Sequence, residues 1–188
     1  VRNLYLTSQL LELNIPVVIA LNMMDIVRSR GDKIDVDKLS KKLGCPIVEI
    51  VAMKGQGVDK LISETVKLKD RDLKPNSLVF DDELEEVLSK IEKDYSNKLD
   101  KELSRYYAIK LFENDEESLS HLNINSNDLK EVTKIREDFE EKMDDNAESI
   151  ITSARYENLE DLSTAVLVKA KPKLSITDRI DKIVTSRI

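Results

Sequence analysis

The sequence is poor in the residues on which many catalytic and binding sites are built. Among 188 residues there is no Trp, one His (His121), one Cys (Cys45), four Gly and four Pro, and aromatic residues make up only 4%. A lone Cys excludes a disulfide framework within the chain and suits a reducing compartment. No apolar run approaches the ~18–20 residues that a helix needs to cross a bilayer. The opening Val1-Arg2-Asn3-Leu4 has neither an initiator Met nor the shape of a signal peptide. The glycines exclude more. Gly31, Gly44, Gly55 and Gly57 fall in no G-x-x-x-x-G-K-[ST] and in no G-x-G-x-x-G, so these residues hold neither of those phosphate-cradling loops.

What is abundant is charge, at 36% with a net of −7, set against 40% hydrophobic residues that are enough for a core. The charge is uneven. Residues 1–75 hold 13 basic and 10 acidic side chains, residues 76–160 hold 11 and 24, and residues 161–188 hold 6 and 3. The acidic middle would repel phosphates and argues against nucleic-acid binding. Pro75 and Asn76 break a helix at the first change of sign, which suggests two parts, 1–75 and 76–188.

The first part alternates helix and strand. Leu6, Leu10, Leu11 and Leu13 predict one helical face ending near Asn14. Residues 16–21 (PVVIAL) are a continuous β-branched run of strand length, as in parallel strands buried on both faces. Residues 35–43 predict a short helix stopped by Gly44, residues 45–51 a second strand, and Val58, Leu61, Ile62, Thr65 and Val66 a further helix. The order is α/β, but two strands make a poor sheet alone. That leaves two expectations open: pairing with another copy of the chain as a homo-oligomer, or a partly disordered first half.

The remainder reads as a small helical bundle. Leu84, Val87, Leu88, Ile91, Tyr95 and Leu99 form one stripe behind the acids Asp81, Asp82 and Glu83, and Leu103, Tyr107 and Leu111 form a second. Residues 114–127 are polar and looped, with room for one helical turn. Leu129, Val132, Phe139, Met143, Ala147 and Ile150 predict one long helix running past Tyr156, with Leu159, Leu162 and Val166 extending its pattern to Pro172. Ile176, Ile180, Ile183, Val184 and Ile188 predict a last helix, with Ser175 and Asp178 as its capping box.

Few residues carry chemistry. Asn22-Met23-Met24-Asp25 follows the first strand directly, and ligands of α/β sheets bind at such strand ends. There an Asp carboxylate can accept from the N1–H and exocyclic amine of guanine, while an Asn amide bonds the base edge. An N-x-x-D arises by chance once per ~400 positions, so the pattern alone is weak. The second loop, Val51-Ala52-Met53-Lys54-Gly55, follows the next strand and offers backbone N–H groups to the base carbonyl, or is an ordinary connection.

These two motifs resemble the fourth and fifth nucleotide motifs of a Ras-like GTPase. More specifically, the chain resembles the cytosolic region of the FeoB family of bacterial ferrous-iron transporters. The matching segments are Arg2-Asn3-Leu4-Tyr5-Leu6-Thr7, Asn22-Met23-Met24-Asp25, Arg105-Tyr106-Tyr107-Ala108-Ile109-Lys110-Leu111, Ser153-Ala154-Arg155-Tyr156 and Thr177-Asp178-Arg179-Ile180-Asp181-Lys182-Ile183, in family order. The resemblance implies the second half of a Ras-like P-loop GTPase fold over 1–75, then over 76–188 a helical domain described in that family as affecting nucleotide release. It implies GTP or GDP held through its guanine by Asn22, Met23, Asp25, Ala52, Met53 and Lys54, and Mg²⁺ only in an intact G domain. It also implies a membrane permease of the same parent protein as partner, at the cytoplasmic face of the inner membrane.

Two substitutions depart from the Ras-like pattern: Met23 stands where Lys usually packs on the base, and Val51-Ala52 where Ser-Ala is usual. The phosphate loop, the switch that orders Mg²⁺ and the D-x-x-G segment would all precede Val1, so hydrolysis of GTP is not expected of these residues. Elsewhere, Glu137, Asp138, Glu140, Glu141, Asp144 and Asp145 suit the solvated face of a helix better than a metal sink. Cys45 suits a strand start better than a nucleophile, and Tyr106 and Tyr107 suit packing. Lys169, Lys171 and Lys173 suit either a solvated helix end or an approach to an anionic membrane, the second favoured by the resemblance. The competing function is a helical protein-interaction module that binds no nucleotide.

Overall fold

The computed structural model describes residues 2–69, 73–120, 122, 124 and 126–170. The predicted last helix, Lys171, Lys173 and His121 lie outside them. The chain opens with helix α1 (Arg2–Glu12), strand β1 (Ile19–Leu21), helix α2 (Met24–Ser29), strand β2 (Lys33–Ile34), helix α3 (Val36–Leu43) and strand β3 (Ile47–Glu49). A 3₁₀ turn (Ala52–Lys54) leads to α4 (Val58–Leu68). Helices α5 (Asp82–Asp94), α6 (Ser104–Glu113), α7 (Glu116–Ser120), α8 (Ser126–Met143) and α9 (Ala147–Val166) follow, and α9 passes directly into β4 (Leu167–Val168).

Strands β1 and β3 pair in parallel, with Ile19 opposite Ile47 and Leu21 opposite Glu49. The helix between them starts where the Asp35 carboxylate accepts the Lys38 N–H at 2.9 Å and stops at Gly44. Gly44 is the terminator that the sequence predicts, whereas Asp35, expected inside the helix, caps it. The strand itself is half-buried rather than covered on both faces, since Ala20 is exposed. On α1, Leu6 is 62% exposed and Leu10 also faces water, whereas Ser8, Leu11 and Glu12 are buried. The predicted leucine face is therefore not the packed one, because spacings of four, five and seven straddle two sides of a helix.

Two cores result. Leu84, Leu88, Ile91, Tyr95 and Leu99 from α5 and its C-terminal extension meet Ile109 and Phe112 of α6, Val132 and Phe139 of α8, and Ile150 and Ile151 of α9. The Phe112 and Phe139 rings meet edge to face at 5.7 Å. The second core joins Leu11, Leu39, Leu43 and Cys45 to Leu159, Leu162 and Val166. Helix α9 thus contributes its first half to one core and its second half to the other. The sequence predicted a single helix across α8 and α9. The structure breaks it at Asp144, which has φ 54°, and restarts it at Asn146, whose side chain accepts the Ser149 N–H at 2.9 Å. Met143, expected inside, is exposed at that break.

Buried between the cores is an ion cluster. The Arg155 side chain, 1% exposed, donates Nε and Nη2 to Glu12 at 3.1 and 2.9 Å and Nη1 to Glu113 at 3.0 Å. Glu113 also accepts from Lys110 at 2.8 Å. The guanidinium lies 5.8 Å from the Tyr5 ring centre, and Tyr5 stacks on Tyr156. Helices α1, α6 and α9 are joined through this one cation.

Candidate base-recognition site

The site is built at the C-terminal ends of β1 and β3, which the parallel pairing brings side by side. Asn22 is the first residue past β1. Its Oδ1 accepts two backbone N–H groups, from Met23 at 2.8 Å and from Ala52 at 3.1 Å. The second of these bonds bridges the two loops and explains an amide at this position: a carbonyl oxygen close to the backbone reaches the neighbouring turn, and a donor remains free. Among the described residues, the Asn22 Nδ2 has no protein partner.

Met23 takes a left-handed conformation (φ 62°, ψ 31°) at the turn into α2 and is exposed. That turn lets α2 begin at once, with Met24 buried and its N–H directed to Ile50 O at 3.4 Å. Arg28 pairs with Glu49, so α2 is held to β3 at both ends. Asp25, in the first turn of α2, uses Oδ1 to accept the Ile26 N–H at 3.0 Å and Oδ2 to accept from Lys54 Nζ at 2.8 Å. The Lys54 hydrogen bond holds the Asp25 carboxyl below its ordinary value, against a smaller opposing effect of desolvation. At neutral pH Asp25 is therefore an anion with acceptor capacity on both oxygens.

The second loop is shaped by its own backbone. Val51 bridges Gln56, Lys54 N–H donates to Val51 O at 2.9 Å and Gly55 N–H to Ala52 O at 3.1 Å. Among the described residues the Met53 N–H is a donor without an internal partner, and the Met53 side chain is fully exposed. The six predicted residues thus fall together on one surface: Asn22 and Ala52 hydrogen-bonded, Asp25 and Lys54 ion-paired, and Met23 and Met53 projecting. Sequence reasoning missed Arg28 and Glu49, which fix the helix; their opposite charges lie 21 residues apart, on α2 and at the end of β3, and carry no local signal.

The surface offers a free carboxamide donor, a carboxylate acceptor and a free backbone donor. That set matches the edge of guanine: a ring nitrogen acceptor for Asn22, the N1–H and 2-amino donors for Asp25, and the 6-oxo acceptor for the Met53 N–H. Adenine, with an amine at C6 and none at C2, satisfies neither of the last two. A largely apolar cavity of about 480 Å³ lies beside Asn22 and Met23, lined also by Leu4, Ile34, Val166 and Leu167. No group of carboxylates, His and Cys fit to hold a metal ion occurs among the described residues.

Comparison with known proteins shows which family segments and which fold the chain resembles. Residues 1–65 match the family described as ferrous iron transport protein B, and residues 80–168 match the FeoB cytosolic helical domain. The Fe(2+) transport protein A/Fe(2+) transporter FeoB fusion protein of Porphyromonas gingivalis is 33% identical over 200 residues, covering 100% of this chain and 24% of that protein. The chain therefore spans about a quarter of the length of that relative. Among solved structures, an S. thermophilus NFeoB mutant bound to GDP superposes with a TM-score of 0.80 at 37% identity, over 89% of this chain and 64% of that one. NFeoB from S. thermophilus bound to mGMPPNP gives 0.77 at 36% identity, over 90% and 64%.

Proposed function

From the premise that this chain is a homologue of the cytosolic portion of FeoB ferrous-iron transporters, we propose that its first 75 residues read the guanine of GDP or GTP and that its helical part, 76–188, relays nucleotide state to an Fe(II) permease of the same parent protein. The observation that carries the reading is the Asn22 Oδ1–Ala52 N–H bond. It locks the two strand-end loops together while leaving the Asn22 amide, the Asp25 carboxylate and the Met53 N–H for a base. Met23 and the Lys54 stem supply apolar surface beside the ring. The proposal covers recognition of the base and not phosphoryl transfer, which needs a phosphate loop and a metal-ordering switch; neither G-x-x-x-x-G-K-[ST] nor D-x-x-G occurs in these residues. In this reading the exposed Lys169 approaches the cytoplasmic face of a membrane.

Titration with fluorescent GDP, competed by unlabelled GDP, ADP and xanthosine diphosphate, tests the assignment. The wild-type chain should prefer GDP. Asp25→Asn replaces an acceptor by a donor at the 2-position of the base and should move preference toward the 2-oxo base of xanthosine diphosphate. Equal affinity for ADP, or an unchanged preference in Asp25→Asn, would refute the role of Asp25. Absence of any nucleotide binding would favour the competing reading, a helical interaction module.

A further inference from the structure

The end of α9 does not simply leave the bundle. It returns to the segment that follows α2 and is held there along six residues. Lys33 and Ile34 of β2 pair antiparallel with Val168 and Leu167 of β4. Asp35 N–H donates to Val166 O at 2.8 Å, Lys38 Nζ donates to Ala165 O at 3.0 Å, and Ala170 N–H donates to the Asp32 carboxylate at 2.9 Å. The approach is close enough that a Cβ on Gly31, which has φ 78°, would lie 3.1 Å from the Ala170 Cβ.

The same stretch is continuous with the base-reading helix. Asp32 N–H donates to Val27 O at 3.1 Å and Arg30 N–H to Ile26 O at 3.1 Å, while Val27 N–H donates to Met23 O at 3.3 Å. Asp32 therefore closes the end of α2 with its backbone and holds Ala170 with its side chain. Packing repeats the link, because Ile34, Val166 and Leu167 line the same cavity as Asn22 and Met23.

We propose that residues 165–170 form a latch on residues 31–38 that couples the geometry of α2, and hence of the Asn22–Asp25 turn, to the segment leaving the helical bundle. The coupling to nucleotide rests on the guanine reading above; the mechanical link does not. Coupling of this kind is reciprocal, so loosening the latch must loosen α2, and ordering the turn must tighten the latch.

Residue-resolved amide hydrogen exchange on the full 188-residue chain tests it. Asp32→Ala removes the acceptor of the Ala170 N–H and should speed exchange there about tenfold, with a rise of about threefold at Val27 and Arg30. Asp32→Asn keeps an acceptor oxygen and should restore most of the protection. Val168→Pro breaks the strand pairing from the other side, at an exposed position, without altering residues 31–38. It should produce the same rise in α2. Faster exchange confined to residues 165–170 in Asp32→Ala and Val168→Pro would overturn the latch. GDP should slow exchange at Ala170 and Asp35, and GDP that binds without doing so would also overturn it. GDP that does not bind would refute the guanine reading alone, and the two variants then decide the latch by themselves.

Discussion

Replacing Arg155 by Met should be among the most destabilising single changes available to this chain. Met keeps most of the volume and removes the charge and three hydrogen bonds. The two carboxylates left behind are not equivalent. Glu113 keeps its bond to Lys110 at 2.8 Å, whereas Glu12, only 3% exposed, loses its only ion-pair partner among the described residues. The cost is therefore that of one orphaned buried carboxylate, about 3–5 kcal/mol, rather than twice that. Burial alone disfavours the Arg155 cation, but the hydrogen bond and attraction of Glu12, joined by Glu113, outweigh it and hold its pKa above the ordinary Arg value. A raised pKa contributes stability that is fully present below the ordinary Arg value and is lost only as pH rises through the raised one. The deficit from Arg155→Met should thus be unchanged between about pH 7 and about pH 9. Equilibrium urea unfolding, followed by circular dichroism, measures it. Glu12→Gln added to Arg155→Met removes the orphaned charge and should recover about 1–3 kcal/mol. A loss below about 1 kcal/mol in Arg155→Met, or no recovery in the double variant, would refute the view that Arg155 is the compensating charge between the cores.

Three further outcomes follow from local geometry. The Asp25 carboxyl should titrate below ordinary Asp by NMR, and Lys54→Ala should raise its value; because the shift is downward, the contribution of the pair is present above the unfolded pKa and disappears as pH falls through the lowered one. An unchanged titration in Lys54→Ala would refute the ion pair. Burial pushes the Cys45 thiol up to about 11, so it should resist thiol reagents at about pH 8 in the folded chain and react in step with urea unfolding; rapid native-state labelling would contradict its place in the core. Gly57→Ala sets a Cβ 2.3 Å from the Glu49 carbonyl oxygen, whereas at Gly55 no atom lies within 4 Å. Both have positive φ, so Gly55→Ala should cost about 1 kcal/mol for backbone strain and Gly57→Ala visibly more in the same unfolding assay.

What the sequence revealed is what its neighbours along the chain determine. Gly44 ends α3 as its position after the helical pattern predicts, and the stripe from Leu84 to Leu99 is a periodicity that the structure buries at every member but Val87, which is partly buried. The position of Asn22 and Asp25 at a strand end was legible because the apolar run before them is a strand. Four features were missed. Glu12 and Arg155 lie 143 residues apart, and each reads locally as a surface charge. The β2–β4 pairing involves two residues a side, too short for any alternation to show. The α8–α9 break was legible in principle, since Asp144-Asp145-Asn146 is a capping signal, but the apolar spacing on either side masked it. The free Met53 N–H depends on which turn bonds its neighbours make, and side-chain patterns do not encode that.

The division of α9 between two cores also sets a timetable. Leu11, Leu39 and Leu43 find Leu159, Leu162 and Val166 only after those residues have been made. At ordinary synthesis rates of about 5–20 residues per second, these leucines wait roughly 6–30 s for their partners. During that interval α1 and α3 carry uncovered apolar surface, and Glu12 lacks its cation. Residues 1–69 are therefore made before the helix that completes their core, and a ribosome that stalls short of α9 leaves them exposed to chaperones and proteases.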